Sequence, residues 1–458
     1  MTSRQLERVA LMITTEGQMR GRLRQRALSR LAGKLLMWMS AATPVREPSH
    51  HSTRWFESGG AGLATRAGRE HAAAFSLTEL EDAGCDLRAK AEQGEESSGV
   101  GRGRIEYLDG LRGIAIIAVV MFHGYVAFPD TLPFGDRFAV IPLRLGWQGV
   151  QLFFLISGFV ILMSLEACND VASFVARRWL RLFPAMLICS CFILGLENII
   201  GAGPNSPKTW INLIPGLTFL NPALIHSLTG LSIASMEGSF WSLYVEVVFY
   251  IVFGLAYFAG GRAFAVALIF AIFLCSLGLR LIFGLDLSSL GSRIAAATDW
   301  IGFIHFGWFS SGALFYLYWS HRRWPMLALA ISAGLISAAT ARFAIPERMG
   351  LCVVVLLFAT AVTVPLWQRA LSSRVLLFFG FISYPLYLVH YPIIRALLPA
   401  VAVHAPVLPS LLLPVAPIAC AVVTSWAVAQ FGEPLVRQAI RRIAGLRHVQ
   451  KSAGAVQP

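Results

Sequence analysis

The chain has 458 residues, of which 56% are hydrophobic and 14% charged, and its formal net charge is +13 at pH 7. Soluble globular proteins carry about 25% charged residues, so composition excludes a water-soluble enzyme, and a mean hydropathy of +0.64 agrees. Nucleic-acid binding is excluded separately, because it needs Lys and Arg clustered on a soluble domain beside a reading element, whereas an excess of this kind is what the cytoplasmic loops of a membrane protein carry.

The charge is unevenly spread. Residues 1–104 hold 16 Lys/Arg and 12 Asp/Glu, 28 charges in 104 positions or about 27%. Residues 105–458 hold 22 and 13, so 35 charges in 354 positions or about 10%. The first segment therefore reads as a largely disordered cytoplasmic extension, rich in Gly, Ser, Arg and Glu. Its best local structure is a basic helix around Gln18–Met39, whose apolar run Leu35–Ala42 is too short to span a bilayer. A secretory signal would need an apolar core and cleavage site near the start. Two readings stand: an amphipathic arm on the membrane surface, and, favoured, a dispensable extension ahead of the true translation start. The seven cysteines form no CxxC pair and sit mostly in apolar runs, where a thiol behaves as a small hydrophobe, so neither disulfides nor a zinc site is expected.

From Leu111 onward, apolar runs of spanning length recur. They predict an all-α, polytopic membrane protein of about ten transmembrane helices, at 111–128, 148–165, 182–200, 240–259, 263–284, 300–319, 324–342, 349–367, 376–398 and 408–430. An eleventh run, 211–232, carries Pro215, Asn221, Pro222 and His226, which suit a broken or re-entrant segment. If that run does not cross, Arg177, Arg178, Arg181, Arg262, Arg322, Arg323, Arg369 and Arg374 share one side with the basic tail 435–458. The positive-inside rule makes that side cytoplasmic. The expectation is a multi-pass protein of the inner (cytoplasmic) membrane with both termini in the cytoplasm.

A charge at mid-membrane costs about 2.5–3.5 kcal/mol on insertion scales, so each polar residue in a span needs a reason. Arg112 and His123 are eleven residues apart, which returns within about 20° of one helix face and separates them by about 16 Å. Arg112 is expected at the cytoplasmic mouth and His123 near mid-bilayer, with Asp109 placed to pair with Arg112. An isolated buried histidine is more often a packed, hydrogen-bonded one, but Glu246 and His390 lie in further spans. A neutral imidazole is the form that accepts a proton from a hydroxyl. Arg177, Arg178 and Arg181 read either as ordinary anchoring or as a phosphate clamp, since Arg forks match phosphate oxygens. No HExxH, P-loop, GxSxG or dinucleotide fingerprint is present.

Residues 106–434 resemble the acyltransferase-3 family of integral-membrane acyltransferases, which O-acylate bacterial surface polysaccharides and related molecules. The resemblance rests on five stretches in the family's order. They are Leu108-Asp109-Gly110-Leu111-Arg112-Gly113 through His123 (an Arg-x10-His signature), Phe154–Phe159, Arg178-x-x-Arg181, Trp241-Ser242-Leu243 to Glu246, and Ser383-Tyr384 to His390. Two departures stand out: the position after Glu246, often a second acid, is Val247, and Glu433 abuts Pro434 without the usual spacer.

The resemblance implies an acyltransferase domain over 105–434 and a stand-alone enzyme. It would move an acyl group, acetyl by expectation, from cytoplasmic acyl-CoA to a hydroxyl of a carbohydrate or glycolipid. His123 would be general base or acyl relay, with Arg112 and Glu246 beside it in the chemistry. Arg177, Arg178, Arg181 and Arg112 would meet the CoA phosphates. Glu246 and Trp241 would approach from outside to orient the acceptor, with Asp109, Ser383, Tyr384 and His390 in support. Acyl-CoA is a co-substrate, and neither a resident cofactor nor a metal is expected. The partners are membrane lipid, acyl donor and acceptor. The rival class is a proton-coupled transporter using the buried His and Glu residues. It would show an internal repeat, and the Arg-x10-His span has no counterpart near 300–320. Nothing in the sequence specifies the acyl chain, the acceptor or the oligomeric state.

Overall fold

The computed structural model describes residues 105–128, 141–200, 208–285, 288–404 and 409–453, and every regular element among them is helical. The extension 1–104, with its expected basic helix, and the loop charges Asp130, Asp136 and Arg137 lie outside the described residues. Apart from His226–Leu231, the described residues fall in one unit.

In chain order the helices begin with α1 (Glu106–Tyr125) and α2 (Gly149–Leu165). Helix α3 (Val171–Ile200) follows Asp170, whose carboxylate accepts the Ser173 N–H at 2.9 Å and so caps the first turn. Short helices α4 (Leu213–Thr218) and α5 (Pro222–Thr229) come next. The long α6 (Trp241–Phe283) is broken at Gly261, whose φ of 76° only glycine adopts freely. Then come α7 (Leu290–Ile301), α8 (Phe306–His321), α9 (Trp324–Ala339), α10 (Ile345–Thr363) and α11 (Pro365–Leu371). The last are α12 (Arg374–His404), α13 (Val415–Ala427) and α14 (Glu433–Ala453), the final two joined through a π-helical turn at Val428–Gly432.

Among the described residues, seven helical stretches are long and apolar enough to cross a membrane, and eight if the bent pair α4 and α5 counts as one span. The ten expected spans are not confirmed. The long α6 counts once among the seven, although Gly261 divides it into two helices between the expected runs 240–259 and 263–284. Helices α8 and α9 have 16 residues each, about 24 Å against a hydrocarbon core of about 30 Å. The ambiguous run 211–232 is broken by 105° between α4 and α5. Phe219 sits there in the left-handed region at φ 55°, and Asn221 Nδ2 donates to the Trp300 carbonyl at 3.0 Å.

Lipid tails are as apolar as a leucine side chain, so helices in a bilayer associate through close packing at small residues. Helix α1 uses Gly110 and Gly113 this way: a Cβ on either would collide with the carbonyl of Leu371 or Leu376. Gly380 of α12 lies against the Asp109 carbonyl in return. This close approach places the outer parts of α1 and α12 side by side, and with them His123 and His390.

Candidate functional site

The residues singled out by sequence divide between two adjoining cavities. The first, about 100 Å³, is lined by Arg112, Arg178, Arg181, Glu246, Ser383 and Tyr384. The second, about 740 Å³, is lined by His123, Trp241 and His390. Val150 and Tyr387 form part of both walls.

The arginine cavity is built where α1, α2, α3, α6 and α12 meet. Arg178 and Arg181 are three residues apart, hence within about 60° on one face of α3, whereas Arg177 is turned 100° from Arg178. Arg177 does not line the cavity, which revises the expected clamp to Arg112, Arg178 and Arg181. Arg112 pairs with Asp109 at 2.5 Å, as the i, i+3 spacing leads one to expect. The Arg178 guanidinium donates to Ser164 Oγ and lies over the Phe174 ring, 5.7 Å from its centroid. Glu246 Oε1 accepts from Ser157 Oγ and Tyr250 OH, each at 2.5 Å. Three guanidiniums against one lining carboxylate leave a cationic chamber. Ser383 and Tyr384 donate to backbone carbonyls, Ser383 to Gly380 at 2.8 Å and Tyr384 to Leu182 at 3.1 Å, so they shape this wall.

Glu246 was expected beside Trp241 on the acceptor side. The structure places it in the arginine cavity instead, because five residues of helix carry it about 7.5 Å along α6. His123 stands in the last turn of α1, which ends at Tyr125.

In the histidine cavity the hydrogen-bond network assigns the tautomers. His390 Nδ1 lies 3.0 Å from the Leu386 carbonyl and 2.9 Å from that of Tyr387. Carbonyls only accept, so this nitrogen carries the proton and His390 Nε2 keeps its lone pair. That lone pair faces His123 Nδ1 at 3.3 Å, and the same Nδ1 is 2.9 Å from the Val119 carbonyl. With acceptors on both sides, His123 Nδ1 holds the proton and its Nε2 presents an open lone pair. The two rings meet edge to face at 4.9 Å between centroids.

Several lining residues were not singled out from the sequence. Arg395 pairs with Glu197 and, at 3.5 Å, with Glu237. Glu237 precedes its span; burial pushes its carboxyl up from the usual range, opposed by the Arg395 guanidinium. Lys208 Nζ donates to the Ser235 carbonyl at 3.3 Å. His305 lies against Trp241 at 5.1 Å between centroids. Tyr387 bonds Ser242 Oγ at 2.7 Å and the Ser239 carbonyl at 2.9 Å, standing between the two chambers. The signal for Arg395 and its partner Glu197 was present: both are charges inside runs read as spans.

The family model described as an acyltransferase domain, that of the acyltransferase-3 family, matches residues 105–429. Among curated proteins, the chain is 31% identical over 160 residues to "Acyltransferase MdmB" of Streptomyces mycarofaciens, covering 34% of this chain and 39% of that protein. It is 31% identical over 179 residues to "O-acetyl transferase" of Shigella phage Sf6, covering 37% and 52%. To "Nodulation protein 10" of Rhizobium leguminosarum bv. viciae it is 27% identical over 164 residues, covering 31% and 41%. The matches thus span about half of these relatives or less. No solved structure matches the chain.

Proposed function

The chain belongs to the acyltransferase-3 family, and from that premise we propose that it transfers an acetyl group from acetyl-CoA, across its own bundle, to a hydroxyl of a carbohydrate or glycolipid. The observation that carries the reading is the adjacency of a chamber with three guanidiniums to one with two paired imidazoles. Arg112, Arg178 and Arg181 meet the CoA phosphates through forked, charge-assisted bonds. The pantetheine arm passes Val150 and Tyr387 into the histidine chamber. There the acceptor hydroxyl gives its proton to His123 Nε2, its oxygen bonds to the thioester carbonyl carbon, and the C–S bond breaks. The departing thiolate takes the proton back from the imidazolium. His390 holds His123 in the tautomer that leaves Nε2 open.

The arginine end faces the cytoplasm, with both termini on that side of the inner membrane. Its basic residues gather at one end of the bundle, where Glu166, just past the end of α2, pairs with Arg262 at 3.6 Å and accepts from Tyr316 of α8. The name of the phage relative, an O-acetyl transferase, favours acetyl. Membranes carrying the protein, given radiolabelled acetyl-CoA, are expected to label a glycan or glycolipid. His123→Ala and Arg112→Ala, at matched expression, abolish the label. Equal labelling in all three removes His123 and Arg112 from the mechanism.

A further inference from the structure

A third cavity, about 180 Å³, adjoins the histidine chamber and shares Gln151, His305 and Phe343 with it. Its charged lining is Arg280 from the end of α6, Asp299 from α7, and Arg342 just beyond α9. Arg280 Nη1 pairs with Asp299 Oδ1 at 3.2 Å, and the Arg280 side chain is 16% exposed. Its Nε–H is buried and has no partner among the described residues. Two guanidiniums face one carboxylate here, leaving a net positive charge in a pocket that shares part of its wall with the chamber where His123 stands.

We propose that this pocket binds an anionic substituent, a carboxylate or phosphate, of the acceptor whose hydroxyl is acylated at His123. The inference rests on the acyl-transfer reading above. A guanidinium fork matches either anion in two parallel bonds. Arg280 and Arg342 supply the donors, and Asp299 holds Arg280 in place. An acceptor anchored there reaches the histidine chamber past Gln151, His305 and Phe343, so the anchor selects which hydroxyl is presented. The acceptor class is therefore an acidic saccharide rather than a neutral one.

The test is calorimetric binding to purified full-length protein in neutral detergent. The probes are a neutral trisaccharide, the same trisaccharide bearing one uronate, and the same bearing one phosphate. At least one charged form is expected to bind tenfold or more tightly than the neutral form. Arg280→Gln and Arg342→Gln should each erase that preference and leave neutral binding unchanged. Arg342 is exposed, so its variant serves if Arg280→Gln does not fold. His123→Ala should keep the preference for a charged over the neutral trisaccharide, whatever it does to the affinity for either, which separates this result from the acyl-transfer claim. Equal affinity for all three probes overturns the proposal. So does loss of the preference in phosphatidylglycerol nanodiscs but not phosphatidylcholine ones, which would give the pocket to a lipid headgroup.

Discussion

His390 presents Nε2 to His123 Nδ1 at 3.3 Å, across 267 residues of sequence and between two helices that approach through glycines. Two backbone carbonyls hold the proton on His390 Nδ1, so the pair has a direction: His123 donates toward His390 and turns its lone pair into the chamber. A base contributes about 10²–10⁴-fold to a rate. His123→Ala should lose that much. His390→Ala should lower kcat by a smaller factor with KM for acetyl-CoA unchanged, and His390→Gln, whose amide oxygen can accept from His123, should recover part of the loss. Steady-state kinetics on the three variants check this; a His390→Ala effect confined to KM would contradict it.

The close approach of α1 and α12 makes a packing prediction. Gly380→Ala places a methyl against the Asp109 carbonyl, and Gly113→Ala places one against the Leu376 carbonyl. Overpacking of this kind costs about 1–3 kcal/mol, and it also separates the histidines. Both variants should lower the detergent melting temperature and the transfer rate together. By contrast Gly278→Ala, which meets nothing, should do neither.

Arg395 joins Glu197 and Glu237, with side chains 13%, 3% and 5% exposed. Removing one partner of a buried ion pair costs about 3–5 kcal/mol because a charge is left behind. Arg395→Met should therefore unfold more readily than wild type. Adding Glu197→Gln and Glu237→Gln should recover much of the loss, as read by thermal unfolding of the four proteins.

Asp170 carries a pH prediction. Its bonds to the Ser173 hydroxyl and N–H hold its carboxyl below the usual range. A depressed carboxyl stabilises the fold above its unfolded value and loses that contribution as pH falls through its folded value. Losing such a cap costs about 1 kcal/mol. Asp170→Ala should therefore melt below wild type at neutral pH, and the gap should close in acid, below the ordinary carboxylate range. A gap that widened in acid would contradict this.

The helical class and the Arg112–Asp109 pair were legible because apolar runs and 100° steps are local properties. Which cavity each residue enters was not. Glu246 and Trp241 lie in one turn and a half of α6 yet line different chambers, because Tyr387, from another helix, stands between them. The Glu197–Arg395 pair bridges 198 residues. Each charge was visible inside a span, but only the fold brings them together. The span count departed for another reason: hydropathy windows register apolar length, and the 16 residues of α8 and α9 cannot be read from them.

The central claim is transfer from one face of the bundle to the other, with CoA on the arginine side and the acceptor on the histidine side. Oriented vesicles test it most directly. Labelled acetyl-CoA is supplied only outside inverted vesicles, or only outside right-side-out ones, each with wild type and with His123→Ala. Label should reach the glycan from the cytoplasmic face alone and only with wild type. Transfer from the opposite face, or undiminished transfer with His123→Ala, would contradict the account.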